Sequence, residues 1–403
     1  MGMLVNSFIA FGGAAPPAGP YNFPIMAANN GAIGTINPTQ TALMSSTDTP
    51  YPTIPAYATS VTPVDIDLAN FKFVLGTAPG SSVTRTISIF DDGSTSGLDV
   101  AITGASVDGI DTGSATIAAQ SAIYINNADD GAPANSTLTR WRADCTSDNQ
   151  VLMAHSGGLF STGTNSYLPL LGTAGSGSST EADAYQVIPI AGNIKNMIAR
   201  NNSTAIASGS WAITLIVNGS ATALTCTLDS SGAIATDAVH SVAVVAGDKV
   251  SWLCDPTSPN ATKALAVGCE FECSVAGTGI IMGGSSAAPS NTVAQYGWQG
   301  SGGTANCAWA GESDVQALAQ AITVTDLYVI QSVACGAAKT RTTLLRDDAA
   351  GTSASVAITG AAAVTGSWNG SVSVAVDSLI CIETTPDGTP AASTVKWGLA
   401  YHT

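Results

Sequence analysis

The sequence predicts an all-β protein built of three tandem antiparallel β-sandwich modules of the jelly-roll kind. Short segments of alternating apolar and polar residues run through the chain, and turn residues separate them roughly every 8–12 residues. About eight such segments in each module favour a jelly roll, and the seven-stranded immunoglobulin-like sandwich is the second choice. The third observation is that the sequence repeats itself.

The repeat is clearest between the two ends of the chain. Residues Val356–Ala361 are identical to Val100–Ala105, and Asp387–Thr394 matches Asp130–Thr137 at most positions. Both separations are close to twice a period of about 128 residues, so a third copy is expected midway. Bias towards Gly, Ala, Ser and Thr can generate one short match, but it does not explain several matches in register.

Three landmarks place the middle copy. The first is a hairpin turn, expected at Asp91-Asp92-Gly93, Asn218-Gly219 and Asp347-Asp348. The second is a polar residue between two apolar strands, at Gln120, Asp248 and Asp377. The third is a proline, at Pro133, Pro259 and Pro390. The predicted modules are residues 1–153, 154–276 and 277–403. The first carries an insertion in the Pro-rich stretch 37–63.

The individual strands follow from the alternation. In the second module Leu224, Cys226 and Leu228 alternate with threonines, and Val250, Trp252 and Cys254 share a face after a turn. The third module repeats this with Val372 and Val374 before Leu379–Ile382. The one helical candidate is Glu312–Ile322.

The charge balance limits the classes of partner. The net charge of −16 disfavours binding to nucleic acid, which requires Lys and Arg against phosphates, and binding to anionic membranes. The start of the chain lacks the basic segment of a signal peptide, and no stretch is apolar enough to span a membrane. We therefore expect no nucleic-acid or membrane partner.

Eight cysteines are unevenly shared among the modules, which argues against a disulfide framework used by every repeat. Cys226, Cys254 and Cys381 follow strand alternation, so we interpret them as reduced thiols of the core. Cys269 and Cys273 share a strand face, and with Cys254 they are the candidate for a zinc site. The core interpretation is favoured, and no metal or other cofactor is predicted.

Catalysis is not indicated. The three histidines, His155, His240 and His402, do not recur between modules, and the chain has no Gly-x-Ser-x-Gly motif. Acidic pairs are expected in loops, where they either make turns or hold calcium: Asp91-Asp92, Asp129-Asp130 and Asp347-Asp348, with Asp108 and Asp111 nearby. The turn interpretation is favoured, and the protein is predicted not to be an enzyme.

The tryptophans divide into two groups. Trp211, Trp252 and Trp397 lie in strand patterns and are expected in the core. Trp298, Trp309 and Trp368 lie among Gly and Ser residues in the third module, where they suit either contacts between modules or stacking on a sugar. Contact with another module or subunit is the favoured interpretation.

The amino-acid sequence of the modules resembles that of virion proteins of tailed bacteriophages. The resemblance rests on Ala78-Pro79-Gly80 before a Thr-rich strand, on Val242–Asp248, and on Gly388–Val395. The resemblance is in the general sequence pattern over about three quarters of the chain and not in a diagnostic motif. It therefore assigns no functional residues. It implies a non-enzymatic structural protein on the capsid surface or in the tail or its fibres, assembled in the host cytoplasm into the virion. The expected partners are other virion proteins and copies of the chain itself.

Two alternatives stay open at this point. A carbohydrate-binding or adhesin protein at a bacterial surface, which binds host-surface glycans, would use exposed aromatic residues such as Trp298 or Trp309. The three modules form either a pseudo-trimer within one chain or a linear string. The repeat number alone motivates the pseudo-trimer.

Overall fold

The computed structural model describes residues 19–403 except 30, 32, 34–37, 45–50, 53–58, 137, 174–176, 202–205, 259–261 and 299–310. Its strands form six sheets, which follow one another along the chain in pairs. We number these sheet pairs 1 to 3. All pairings between strands are antiparallel except a short parallel one between residues 154–155 and 172–173.

Sheet pair 1 contains β1 (Tyr21–Asn22), β2 (Ile25–Asn29), β3 (Thr39–Thr41), β4 (Tyr51–Pro52), β5 (Ser60–Val61), β6 (Ile66–Leu75), β7 (Gly80–Asp91), β8 (Ser94–Gly104), β9 (Asp108–Ile117), β10 (Ala122–Asp130) and β11 (Thr139–Ser147). Sheet pair 2 contains β12 (Gln150–His155), β13 (Ser166–Leu168), β14 (Gly172–Thr173), β15 (Gln186–Val187), β16 (Gly192–Asn201), β17 (Ser210–Val217), β18 (Ser220–Leu228), β19 (Ile234–Val244), β20 (Lys249–Thr257) and β21 (Leu265–Cys273), with the short helix α1 (Glu181–Ala184). Sheet pair 3 contains β22 (Thr278–Gly284), β23 (Gln295–Gly297), β24 (Ala317–Leu318), β25 (Ile322–Gln331), β26 (Gly336–Asp347), β27 (Ala350–Gly360), β28 (Thr365–Val374), β29 (Leu379–Asp387) and β30 (Val395–His402), with a 3-10 helix (Glu312–Asp314).

The strand order is the same in each pair. One sheet runs β2-β11-β6-β9 in pair 1, β12-β21-β16-β19 in pair 2 and β22-β30-β25-β28 in pair 3. The facing sheet runs β3-β10-β7-β8, β13-β20-β17-β18 and β23-β29-β26-β27. Among the six long strands of each pair, the hairpins β7-β8, β17-β18 and β26-β27 stay in one sheet and every other connection crosses between the sheets. The first long strand lies beside the last, and this is jelly-roll order. The predicted all-β sandwich fold is confirmed.

Two details differ from the sequence prediction. β12 spans residues on both sides of the predicted boundary at 153/154 and pairs along its whole length with β21, so it belongs to sheet pair 2. The candidate helix Glu312–Ile322 is wrong, because only a 3-10 turn forms at its start. Ala317 and Leu318 pair instead with β29, so sheet hydrogen bonds override the helical preference of this segment.

The predicted hairpin turns are confirmed. Asp92 and Gly93, Asn218 and Gly219, and Asp348 and Ala349 all have positive φ, as a two-residue type I′ turn requires. The first residue of each turn also accepts, through its side-chain oxygen, a backbone N–H of the adjacent strand: Asp92 from Ala122 at 3.0 Å, Asn218 from Lys249 at 3.0 Å and Asp348 from Leu379 at 2.9 Å. The turn residue therefore ties three strands together, which explains why Asp or Asn stands there.

One landmark of the repeat is displaced by a residue. The turn after β9, β19 and β28 places Gln120, Gly247 and Asp377 in positive φ, at 72°, 92° and 68°. Their N–H groups donate to the carbonyls of Thr62, Ile188 and Ala319, in each case at 2.8 Å. The counterpart of Gln120 is therefore Gly247 and not the polar Asp248, because the position selects for positive φ rather than for polarity. Pro133 and Pro390 are buried, and Pro259 lies outside the described residues.

The sandwich interiors are filled by aliphatic and aromatic residues. Trp211, Trp252 and Trp397 are fully buried, as predicted. In sheet pair 1 the Trp141 indole stacks on Phe73 at 5.8 Å between ring centroids and donates to the carbonyl of Leu43 at 2.8 Å. No helix in the described part of the chain is long and apolar enough to cross a membrane.

Candidate functional site

Three contact regions join the sheet pairs, and we call them junctions 1–2, 2–3 and 3–1. Each is made by the short strand that precedes the first long central strand of its sheet pair, namely β5, β15 or β24. These three strands occupy the same place, since they pair with β10, β20 and β29 respectively. Each then lies against the next sheet pair.

At junction 1–2, β5 contacts β12, β16 and β21. Across the junction, the Arg200 guanidinium donates to the Asp92 carboxylate at 3.0 Å and to the carbonyl of Gln120 at 2.8 Å. A Cβ atom added to Gly268 would overlap the carbonyl oxygen of Val61. Glycine is therefore required at residue 268 for the two backbones to approach.

Junction 2–3 repeats this arrangement. β15 contacts β22, β25 and β30, and a Cβ on Gly398 would overlap the carbonyl oxygen of Val187. Lys396 Nζ donates to the carbonyl of Asp183 at 2.7 Å, and Gln186 Nε2 donates to that of Met282 at 3.1 Å. Backbone contact on glycine again makes the centre of the junction.

Junction 3–1 is chemically different. β24 contacts β2 and β11, but ionic groups replace the glycine contact. The Asp377 carboxylate accepts from Lys72 Nζ at 2.9 Å and from Arg142 Nε at 2.8 Å. Although burial raises the pKa of Asp377, the hydrogen bonds and charges of Lys72 and Arg142 outweigh this and lower it below its usual value of 3.8. The Asp377 carboxylate is therefore held in its charged form.

A third cation strengthens the same junction. The Arg140 guanidinium, which is 9% exposed, donates to the carbonyls of Gln316 at 2.9 Å and Ser313 at 2.8 Å. Gln320 also donates to the Asp144 carboxylate. Sheet pair 1 thus presents its basic strand β11 to the loop that precedes β24.

The three junctions close a ring. Sheet pair 1 contacts pair 2, pair 2 contacts pair 3, and pair 3 contacts pair 1, each time through the equivalent short strand. The strand register shows that Arg142, Gly268 and Gly398 occupy the same position in the three sheet pairs. Their partners on the neighbouring strand are Lys72, Ile198 and Tyr328 respectively. A linear string has no contact between its first and last members, so the described residues form a pseudo-threefold ring.

Acidic residues serve mainly as structural ligands of the backbone. The expectation that Asp129-Asp130, Asp108 and Asp111 lie in loops is wrong, because they belong to β10 and β9. Asp129 pairs with Arg85 at 3.1 Å, with side chains 1% and 0% exposed, so this strand position is fixed by an internal ion pair. The described residues contain no group of three or more His, Cys, Asp or Glu side chains that could hold a metal ion.

Two aspartates that the sequence reasoning did not distinguish join the outer strands of the sandwiches. Asp111 on β9 accepts from the N–H of Asp99 on β8 at 2.8 Å, and Asp237 on β19 accepts from the N–H of Thr225 on β18 at 3.0 Å. Burial raises the pKa of Asp237, but hydrogen bonds from Thr225, His240 and Val239 outweigh the effect of burial and lower the pKa to about 2. Each aspartate also accepts from the N–H two residues on, that of Gly113 at 2.8 Å and that of Val239 at 3.1 Å.

Trp368 takes the corresponding place in sheet pair 3. It faces Leu327 as Asp237 faces Met197, and it packs half-buried against the core. Trp298 is also not a free platform, since it is 1% exposed and donates through Nε1 to the carbonyl of Met26 at 3.0 Å. Its contact with sheet pair 1 confirms the favoured interpretation for this residue, whereas Trp309 lies outside the described residues.

The histidines lie on different strands. His155 on β12 is 1% exposed, and neither of its ring nitrogens has a hydrogen-bond partner within the described ranges. Burial lowers its pKa to about 4. His240 bonds Asp237 through Nδ1 at 2.8 Å, and His402 lies 3.0 Å from the Thr278 hydroxyl. The structure brings no two of the three together.

The cysteines within the described ranges are free and buried, which confirms the core interpretation of Cys226, Cys254 and Cys381. Burial raises the pKa of the Cys226 thiol to about 12, so it is protonated and inert at neutral pH. Cys269 and Cys273 share β21. Cys307 falls outside the described residues.

Two buried arginines were missed, because a charged residue on an inward-facing strand position contradicts the usual alternation. Arg85 and Arg341 are both 0% exposed and occupy the same register, opposite Asp129 in one sheet pair and opposite Pro386 in the other. Arg341 donates through Nη1 to the carbonyl of Ser290 at 2.9 Å, while its Nε and Nη2 have no partner in the described part of the chain. Desolvation lowers the pKa of both guanidinium groups.

Comparison with known proteins adds no relative. A scan against protein-family models gives no match, and a search of curated proteins finds none similar in sequence. The functional interpretation therefore depends on the ring and its junctions.

Proposed function

We propose that the chain is a non-enzymatic structural component of a phage particle, on the capsid surface or in the tail or its fibres, and that it acts through protein–protein assembly. The observation that carries the proposal is the closed ring of sheet pairs, joined by equivalent strands at all three junctions. A ring of this kind presents similar surfaces in three directions, which suits a threefold or quasi-sixfold position in a larger shell or tube.

The surfaces that face away from the junctions support the proposal. The outer strands β27 and β28 contain no charged residue, and their exposed positions are mainly Ser, Thr, Ala, Gly and Asn. Small uncharged side chains lose little conformational entropy when a partner covers them, so such strands suit extended contacts with other virion proteins or with further copies. The resemblance to tailed-phage virion proteins points the same way.

The proposal is tested first by the mass of the purified full chain in solution, with and without chelator, followed by electron microscopy. Regular assemblies, or binding to capsid or tail particles, support a structural role. A chain that stays monomeric at every concentration and binds a polysaccharide contradicts it and favours the carbohydrate-binding alternative. Because Trp298 is buried, Trp298→Ala is not informative for sugar binding, and Trp309→Ala on a glycan array is the relevant variant.

A further inference from the structure

The three junctions differ in how the chain connects them. Residues 148–149 link β11 to β12 across junction 1–2, and residues 274–277 link β21 to β22 across junction 2–3. Within the described residues, no segment links sheet pair 3 directly to sheet pair 1. Junction 3–1 can therefore separate while the chain stays continuous and the long strands of each sheet pair stay paired.

The chemistry of junction 3–1 is also the most polar. Sheet pair 1 contributes three of the chain's 12 basic residues, Lys72, Arg140 and Arg142, where the other junctions place a glycine against a carbonyl. Lys72 and Arg142 contact the Asp377 side chain, which is 39% exposed, and the Lys72 side chain is 17% exposed, so water reaches this contact. The junction also contains buried contacts, in which Trp298 donates to the Met26 carbonyl and Arg140 to the carbonyls of Gln316 and Ser313. Its exposed ionic contacts gain little on closure, because both partners are solvated again on opening.

We propose that junction 3–1 is a seam at which the ring opens reversibly, held shut by the Asp377 carboxylate. The opened faces stay tethered through sheet pair 2, so reclosure is intramolecular and fast compared with encounter between chains.

Two matched substitutions separate the seam from an ordinary junction. Asp377→Asn removes the charge that holds Lys72 and Arg142, and Asp92→Asn removes the charge that holds Arg200 at junction 1–2. Both residues have positive φ, 68° and 44°, which asparagine accepts. In the second repeat Asn218 accepts the backbone N–H of Lys249 at the position where Asp92 accepts that of Ala122. Asparagine at residue 92 should therefore preserve the turn of the control variant.

The experiment is hydrogen exchange by mass spectrometry on the full chain and both variants. In the wild type, amides of β24 and of the facing strand β2 should exchange faster than those of β5 and β15. Opening of the seam removes the contact that covers these two short strands, so they fray from β29 and β11 at a free energy below that of global unfolding. Asp377→Asn should raise the exchange of the seam amides by about tenfold or more and leave β5 and β15 within about twofold, since two cations lose their carboxylate. Asp92→Asn should change all three sites by less than about twofold.

Equal exchange at β5, β15 and β24 in the wild type overturns the proposal without any variant. So does an Asp377→Asn variant whose extra exchange is spread evenly over the chain, because that pattern reports global destabilisation. These outcomes leave the structural role untouched, since a ring that stays closed assembles equally well.

Discussion

Between pH 6.5 and 4, acid should destabilise this protein through the buried side chain of His155. The imidazole lies on β12 with both nitrogens unpaired and 1% of its surface exposed, so a proton there would create an uncompensated buried charge. His155→Leu removes the titrating group at similar volume. Met153→Leu, on the same face of the same strand and fully buried, is the matched control without a titrating group.

The magnitude follows from the pKa. Burial lowers the pKa of His155 from 6.5 to about 4, and each unit corresponds to about 1.36 kcal/mol, so the difference amounts to about 3 kcal/mol. Between pH 6.5 and 4 the unfolded chain binds the proton and the folded chain does not. The free energy of unfolding therefore falls as the pH drops through this window, and the whole contribution is lost below about pH 4.

Urea unfolding followed by tryptophan fluorescence, at pH values from about 7.5 to about 4.5, measures the effect. The wild type and Met153→Leu should lose stability more steeply than His155→Leu over this range, with the curves diverging below pH 6.5. Parallel curves for all three proteins would show that His155 titrates normally or acquires a partner, and would refute the reasoning.

Three further predictions concern the junctions and the buried charges. Gly398→Ala should destabilise the chain by about 1–3 kcal/mol in urea unfolding and increase proteolysis near junction 2–3, because the added Cβ overlaps a backbone carbonyl. Gly163→Ala, with open space around the residue, should be neutral, and equal effects of the two substitutions would contradict this reasoning. Asp129→Ala should cost about 3–5 kcal/mol in the same assay, because it leaves the buried Arg85 without its carboxylate. Arg341→Met should change stability by less than about 1 kcal/mol or increase it, since this arginine has no carboxylate partner among the described residues, and a loss as large as that of Asp129→Ala would show that it has one.

Local chemistry explains which features the sequence predicted. Asn218-Gly219 and Asp92-Gly93 indicate type I′ hairpins because few residue pairs accept positive φ twice, and the turns form as expected. Alternation likewise predicted the core tryptophans. The middle landmark failed by one residue because a glycine, Gly247, satisfies the same backbone requirement as Gln120 without being polar.

The junctions could not be predicted, because each brings together residues far apart in sequence. Gly268 and Gly398 lie inside strands, where glycine usually signals only weak strand propensity, and their function depends on carbonyls of another sheet pair. The pairing of Asp377 with Arg142 spans more than half of the chain and leaves no local pattern. The repeat motivated a pseudo-trimer, but the choice between a ring and a string required the contacts themselves.

Joining three sheet pairs in one chain allows equivalent positions to diverge, and closure of a ring gives a reason why they should. Junctions 1–2 and 2–3, which the chain itself connects, can be fixed by rigid contacts of a glycine against a carbonyl. Each of them has only to fix the angle between its own two sheet pairs. The third must then accept whatever gap the first two leave. Arg142 and Lys72 have several rotatable bonds and reach Asp377 from 2.8 and 2.9 Å without requiring a backbone fit. Long ionic side chains therefore suit junction 3–1 for the same reason that glycines suit the other two.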